Sequence, residues 1–198
     1  MQHTPRLVIV GRDGILNVYR DDHVKSPNEW QPLPGALEAV ARLNQAGWHV
    51  VVATNQSGIG RGMIDMASVN AVHSHMMKRL AAVGGRIDAV FFCPHAPEDH
   101  CDCRKPLPGM MFDIAKRYGT DLRQVPLASD TLRDLKAADA AGCEPHLVCT
   151  GRMAALNEAE VREVARQVPG TMVHADLGAM AEYLLRRELG TVSTVGGL

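Results

Sequence analysis

No run of apolar residues in this 198-residue sequence approaches the roughly 20 needed to cross a bilayer. The opening segment, Met-Gln-His-Thr-Pro-Arg, lacks the basic stretch and long apolar core of a secretion signal. Neither sign of charge is in excess. Twenty-one Lys and Arg stand against 22 Asp and Glu, leaving a formal net charge of -1 and no basic stripe for a nucleic-acid backbone or an anionic membrane. Internal repeats and low-complexity blocks are also missing. These absences set aside nucleic acid and membrane as partners, and the expectation is a cytoplasmic protein. The five cysteines are few and odd in number, which argues against a disulfide framework.

What is present is a chain of ordinary globular composition, 46% hydrophobic and 22% charged, of a size that suits one domain. Short apolar runs alternate with longer helical patterns. The strands expected are Leu7–Val10, Trp48–Ala53, Ala89–Cys93, Val125–Ala128, His146–Cys149 and a short one at Met172-Val173. Between them, Pro34-Gly35 opens a helix carrying Leu37, Val40 and Ala41 that ends at Gly47, and Val69, Val72, Met76 and Leu80 mark a second that stops at Gly84-Gly85. Further helices are expected over Gly109–Tyr118, Leu132–Ala141, Glu158–Gln167 and Leu177–Glu188. Strands this apolar belong to a parallel sheet covered by helices on both faces, with the ligand site beyond their carboxyl ends. The globular unit is expected to span 1–189, as a monomer, with 190–198 as a disordered tail.

Polar clusters fall at those strand ends. Gly11-Arg12-Asp13-Gly14-Ile15-Leu16-Asn17 follows the first strand and Thr54-Asn55-Gln56-Ser57-Gly58 the second. Cys101-Asp102-Cys103-Arg104-Lys105-Pro106 comes later, and Ser129-Asp130-Thr131-Leu132-Arg133-Asp134 follows the fourth strand. One Asp-Gly pair after a strand is ordinarily a turn; four clusters in order are not. Within them, Cys93, His95, Cys101 and Cys103 bring three thiolates and one imidazole into eleven residues, a complete tetrahedral zinc set and hence a structural site, with His100 as an alternative ligand that Cys101 makes redundant. His73 and His75 cannot share the apolar face of Val72 and Met76 and are expected in solvent. Met76, Met77, Met110 and Met111 are expected as core filler, as are Cys143 and Cys149.

Together the four clusters resemble the ordered motifs of the haloacid dehalogenase (HAD) superfamily, and Thr54 to Ile59 with Cys-Arg-Lys-Pro resembles its heptose bisphosphate and histidinol phosphatase branch, over roughly residues 6–186. The resemblance implies an α/β fold, a single Rossmann-like domain without a large cap, and magnesium-dependent hydrolysis of a phosphosugar, a heptose 1,7-bisphosphate being the family substrate. In the family the first motif holds two aspartates, a nucleophile and an acid/base. Asp13 matches the acid/base, and with Asp130 a magnesium site; Thr54 matches the phosphoryl-binding hydroxyl and Lys105 the charge-neutralising lysine. Loops 18–33, Asn55–Ser57 and the cysteine-rich segment would select substrate, with Thr54, Asn55, Gln56, Ser57, Arg104 and Lys105 as contacts and Arg104 on a second phosphate. A zinc loop of the Cys93–Cys103 pattern precedes the third motif in that branch.

Gly11 stands where the family has its nucleophile. Glycine supplies neither the attacking carboxylate nor that magnesium ligand, so severely reduced turnover is expected. Repurposing of Asp13, direct attack by water, and a non-catalytic phosphosugar binder are the alternatives. Ser129 and Thr131 are milder departures from the pattern.

Overall fold

The computed structural model describes residues 6–193, with side chains through Glu188. Six strands form one sheet: β1 (Leu7–Val10), β2 (His49–Asn55), β3 (Ala89–Cys93), β4 (Pro126–Ser129), β5 (Glu144–Val148) and β6 (Met172–His174). Their order is β3-β2-β1-β4-β5-β6, with every pairing parallel. The helices are α1 (Ala36–Gln45), α2 (Ser57–Gly60), α3 (Met66–Ala82), α4 (Gly109–Tyr118), α5 (Leu132–Ala141), α6 (Glu158–Arg166) and α7 (Leu177–Ser193).

The apolar runs are continuous because the strands are covered twice. Val8, Val10, Val50 and Val52 pack under α1, α3 and α7, while Leu7, Ile9, Val51 and Ala53 alternate with them into a second core under α4 and α5. The period-2 alternation thus gives both faces an apolar layer. Val69, Val72, Met76 and Leu80 are all buried on α3, and Met110 and Met111 fill the opposite core, as their spacing predicts. Cys143 is buried in that second core, and burial pushes its thiol up to about 12. Cys149 packs half-buried against a third cluster around Leu135 and Leu147. Helix ends follow local chemistry. Asp65 and Thr131 cap α3 and α5 by accepting backbone hydrogen bonds from Ser68 and Asp134, and Gly142 ends α5 in the left-handed region.

Several boundaries differ from the sequence reading: β4 is shifted by one residue to Pro126–Ser129, β5 runs Glu144–Val148 rather than His146–Cys149, and the short helix α2 was not expected. β2 runs on through Thr54 and Asn55, which pair with Phe92 and Cys93 of β3, so the polar cluster begins inside the ladder. Helix α7 extends to Ser193, into the stretch expected as tail, and 194–198 lie outside the described residues. Among the described residues, no helix is long and apolar enough to cross a membrane.

Strand order reverses at β1, which lies between β2 and β4. In an open parallel sheet the crevice for a ligand opens there, beyond the carboxyl ends.

Candidate active site

The last paired rows at the centre of the sheet are Val10 with Val52 and Val10 with Ala128. One residue further on stand Gly11, Ala53 and Ser129, and two residues on are Thr54 and Asp130. Register alone therefore brings the first, second and fourth polar clusters to one edge. Gly11 continues the strand, donating to the Ala128 carbonyl at 3.0 Å.

Position 11 has room for a side chain. Its φ is not in the left-handed region, and a Cβ would meet Ile15 Cγ1 at 3.2 Å and the Ala128 carbonyl at 3.7 Å, so only a small movement of Ile15 is needed. Gly14 is different: its φ is +82°, and a side chain there would run into the Asp130 carboxylate, as would one on Gly151. Those two glycines let the backbone close around Asp130.

Lys105 is buried, and its ammonium donates to the Ala53 carbonyl at 2.8 Å and to Asp134 Oδ2 at 2.5 Å. Asn55 fixes its backbone from both sides, accepting from Lys105 N at 3.2 Å and donating to Lys105 O at 3.1 Å. Burial by itself would raise the Asp134 carboxyl, but Lys105 and Arg133 outweigh it and hold the group down at about 2. Thr54 lies beside Gln56, whose amide reaches Thr54 Oγ1 at 3.0 Å and, with its oxygen turned to Arg12, accepts from both guanidinium ends at 3.2 and 3.1 Å.

Arg12, only 1% exposed, is the hub of the first cluster. It donates to both Asp13 carboxylate oxygens at 3.0 Å, and Asn17 adds a hydrogen bond to Oδ1 at 2.9 Å. His73, expected in solvent, is instead half-buried against Arg12 and Phe92. Burial and the neighbouring guanidinium lower its pKa to about 4, so the neutral ring accepts from Arg12 Nη1 at 3.2 Å. His75 is likewise half-buried, edge-on to Trp30. The apolar face of α3 is wider than Val72 and Met76 alone define, because β1's loop and the segment around Trp30 cover its flank.

Asp130 is 2% exposed, and burial raises its pKa against the opposing pull of Arg152. Its Oδ2 accepts from Arg152 N at 2.8 Å, with Arg152 Nη1 at 3.4 Å. Among the described residues no three carboxylates gather into a cation site. Asp13 is turned to Arg12, Asp134 to Lys105, and position 11 has no side chain. An octahedral oxygen cage for magnesium is therefore incomplete here.

Cys93, His95, Cys101 and Cys103 do converge. Their ligand atoms lie within 4.8 Å of one another, and four neighbouring pairs are 3.3, 3.5, 3.6 and 3.6 Å apart. A tetrahedral zinc ion with ordinary bond lengths needs edges of roughly 3.4 to 3.8 Å, so these residues fit the metal. His100 is exposed and outside the cluster. Hydrogen bonds from Gln56 N to the Cys93 carbonyl and from Gly60 N to the Pro94 carbonyl hold the loop against the β2 end and α2. Arg104 donates to the His95 carbonyl at 3.3 Å.

Sequence reasoning did not single out Arg12, Asn17, Asp134 or Arg152. Asp134 carried a readable signal, an acid four residues after Asp130 at the start of a helix; the others depend on folded partners.

Three comparisons bear on this arrangement. Residues 102–179 match a family model described as HAD-hydrolase-like. The D-glycero-beta-D-manno-heptose-1,7-bisphosphate 7-phosphatase of Bordetella bronchiseptica is 53% identical over 181 residues, 91% of this chain and 98% of that protein. The Pseudomonas aeruginosa protein of the same name is 45% identical over the same coverage. The crystal structure of the B. bronchiseptica D,D-heptose 1,7-bisphosphate phosphatase, complexed with magnesium and phosphate, superposes with a TM-score of 0.85 over 92% of this chain and 99% of that one. The Burkholderia thailandensis phosphatase is 47% identical with a TM-score of 0.69, covering 91% and 98%.

The buried Lys105–Asp134 pair leads to a measurable expectation. Asp134→Asn leaves an ammonium in a dry site with one carbonyl partner, and should lower stability by about 3–5 kcal/mol at neutral pH. Because the folded carboxyl sits at about 2, below its ordinary 3.8, the pair's contribution is complete above that ordinary value and is lost as pH falls towards 2. Chemical denaturation of parent and variant should show a gap that closes through this window. A gap that persists unchanged at the acid end would remove the ion pair as its cause.

Proposed function

Because this chain belongs to the heptose 1,7-bisphosphate phosphatase family of HAD-like hydrolases, we propose that it binds a heptose 1,7-bisphosphate type of phosphosugar where β1, β2 and β4 end, as a phosphatase whose turnover Gly11 severely reduces. One observation carries this reading. The polar clusters of three adjacent strands and a buried lysine face one edge around a position that lacks a side chain yet has space for one.

The chemistry follows from the groups present. Phosphoryl transfer requires an in-line nucleophile, neutralisation of the equatorial oxygens, and a proton for the leaving oxygen. Thr54 and Lys105 bind the phosphoryl oxygens, and Asp13, oriented by Arg12 and Asn17, handles the proton. Asn55, Gln56, Ser57 and Arg104 shape the sugar side. Magnesium supplies charge neutralisation in such chemistry; here Asp130 and the backbone at Asp13 would hold it weakly. The covalent route through an aspartyl-phosphate has no atom to begin from at position 11. The same observation favours a second reading, a phosphosugar binder without turnover.

Zinc belongs to this reading as a structural ion held by Cys93, His95, Cys101 and Cys103. Four protein ligands leave no open position, so its work is to hold the loop that carries Arg104 and Lys105. Protein purified without chelator should contain one zinc per chain by elemental analysis. Cys103→Ala should release it and loosen the loop while the sheet stays folded, since the first core has no member in the loop and the second is built mostly from strands and helices, with Cys101 and Cys103 only partly buried against it. Global unfolding of that variant would show that the loop is integral to the core.

The decisive substitution is Gly11→Asp, with Gly11→Ala as its control. Ordinary φ and a 3.2 Å neighbour at Ile15 mean both variants should fold with melting temperatures near the parent's. Gly11→Asp should raise magnesium-dependent release of phosphate from a heptose bisphosphate by roughly three or more powers of ten, the scale lost when catalytic residues are deleted, and Gly11→Ala should not. A folded Gly11→Asp protein that binds but never cleaves a phosphosugar panel would favour the binder. A parent as fast as the variant would require another nucleophile, with Asp13 the first to test.

A further inference from the structure

Arg152 lies in the one-turn helix Gly151–Ala155 that follows β5, outside all four polar clusters. Its guanidinium lies 3.6 Å from the centre of the Tyr19 ring, a cation–π contact that joins the turn to loop 18–33. The Tyr19 hydroxyl is anchored in turn by Asp21 at 2.7 Å. At its other end Arg152 reaches Asp130 twice, through its backbone N–H and through Nη1. Asp130 is its one carboxylate partner among the described residues, and its side chain remains 36% exposed. A partly exposed cation is thus held between Tyr19 and the buried acid that the fourth cluster contributes.

Charge balance gives this placement a purpose. Two carboxylates at the ends of β1 and β4 would repel a phosphate dianion unless a divalent cation stood between them. With glycine at position 11 one of those charges is gone, and the other, Asp130, already faces a guanidinium. Arginine's planar fork suits two phosphate oxygens at once, which a point charge does not.

We propose that Arg152, braced on Tyr19, is a phosphate-binding residue of this site and that it holds the phosphoryl group of the ligand without an intervening magnesium ion. The inference rests on the phosphosugar-binding reading above and adds to it the cation that makes binding metal-independent.

Calorimetric titration with inorganic phosphate tests it, first in magnesium-free buffer and then with magnesium added. Chelator is omitted so that the Cys93–Cys103 cluster keeps its metal. The parent should bind phosphate in both buffers with similar affinity. Arg152→Gln should weaken binding about tenfold or more in both, Arg152→Lys less, and Tyr19→Leu by about two- to fivefold through loss of the brace. Arg123→Gln, a remote surface cation, should bind as the parent does. The backbone hydrogen bond to Asp130 survives every substitution at 152, so melting temperatures should stay close to the parent's. Should Arg152→Gln nevertheless unfold, the Lys and Tyr19 variants carry the test. Phosphate binding that requires magnesium, or that Arg152→Gln leaves intact, overturns the inference while the proposed function stands. A parent that binds neither inorganic phosphate nor a sugar bisphosphate in either buffer overturns both.

Discussion

A buried ammonium joins the parts of this site. Lys105 reaches the end of β2 through the Ala53 carbonyl and the start of α5 through Asp134, while Asn55 clamps its backbone. A charge taken out of water is tolerated only when its donors are satisfied and an opposite charge stands close by. Satisfying Lys105 therefore fixes the spacing between β2 and α5, and with it the gap in which β1 presents Gly11. The cysteine-histidine loop approaches from the β3 side, and its hydrogen bonds to Gln56 and Gly60 set where the chain enters Arg104 and Lys105.

The second buried cation, Arg12, does for the first cluster what Lys105 does for the third. It turns the Asp13 carboxylate, meets neutral His73, and reaches Gln56, which touches Thr54. Side chains proposed to act on a ligand are in this way already oriented by one another. The exception is position 11, where the backbone is ordinary, no side chain is present, and a Cβ would meet Ile15 Cγ1 at 3.2 Å. With glycine there, Asp130 is left facing Arg152 at the end of β4, which is why Arg152 becomes informative.

Much of this was legible beforehand, and the reason is local. The limits of β1, β3, α4 and α5 match the sequence reading because strand periodicity and helix spacing are short-range signals. The first polar cluster directly follows β1 and the fourth opens on the last residue of β4 for the same reason, whereas the second begins inside β2 and the third lies on the loop after β3. The end of β2 was misread because Thr54 and Asn55 are extended only through their ladder with β3, a partner nearly forty residues away. His73 was misplaced because its burial comes from Arg12, which arrives from another element.

Local pattern alone was enough for the doubly covered parallel sheet, the residue types at its carboxyl edge, the four metal-ligand candidates, and the glycine where the resembled motif has an acid. Hydrophobic period and short motif spacing suffice for those, since each is written within a few consecutive residues. Folding across the layers is what sets Lys105 against Asp134, links Thr54 to Arg12 through Gln56, stands Arg152 over Tyr19 against Asp130, and leaves Ile15 as the close neighbour of position 11. Those contacts join segments 22 to 133 residues apart, or depend on the volume left between them. Pairings at such separations follow from how the layers close on one another, which no local pattern encodes.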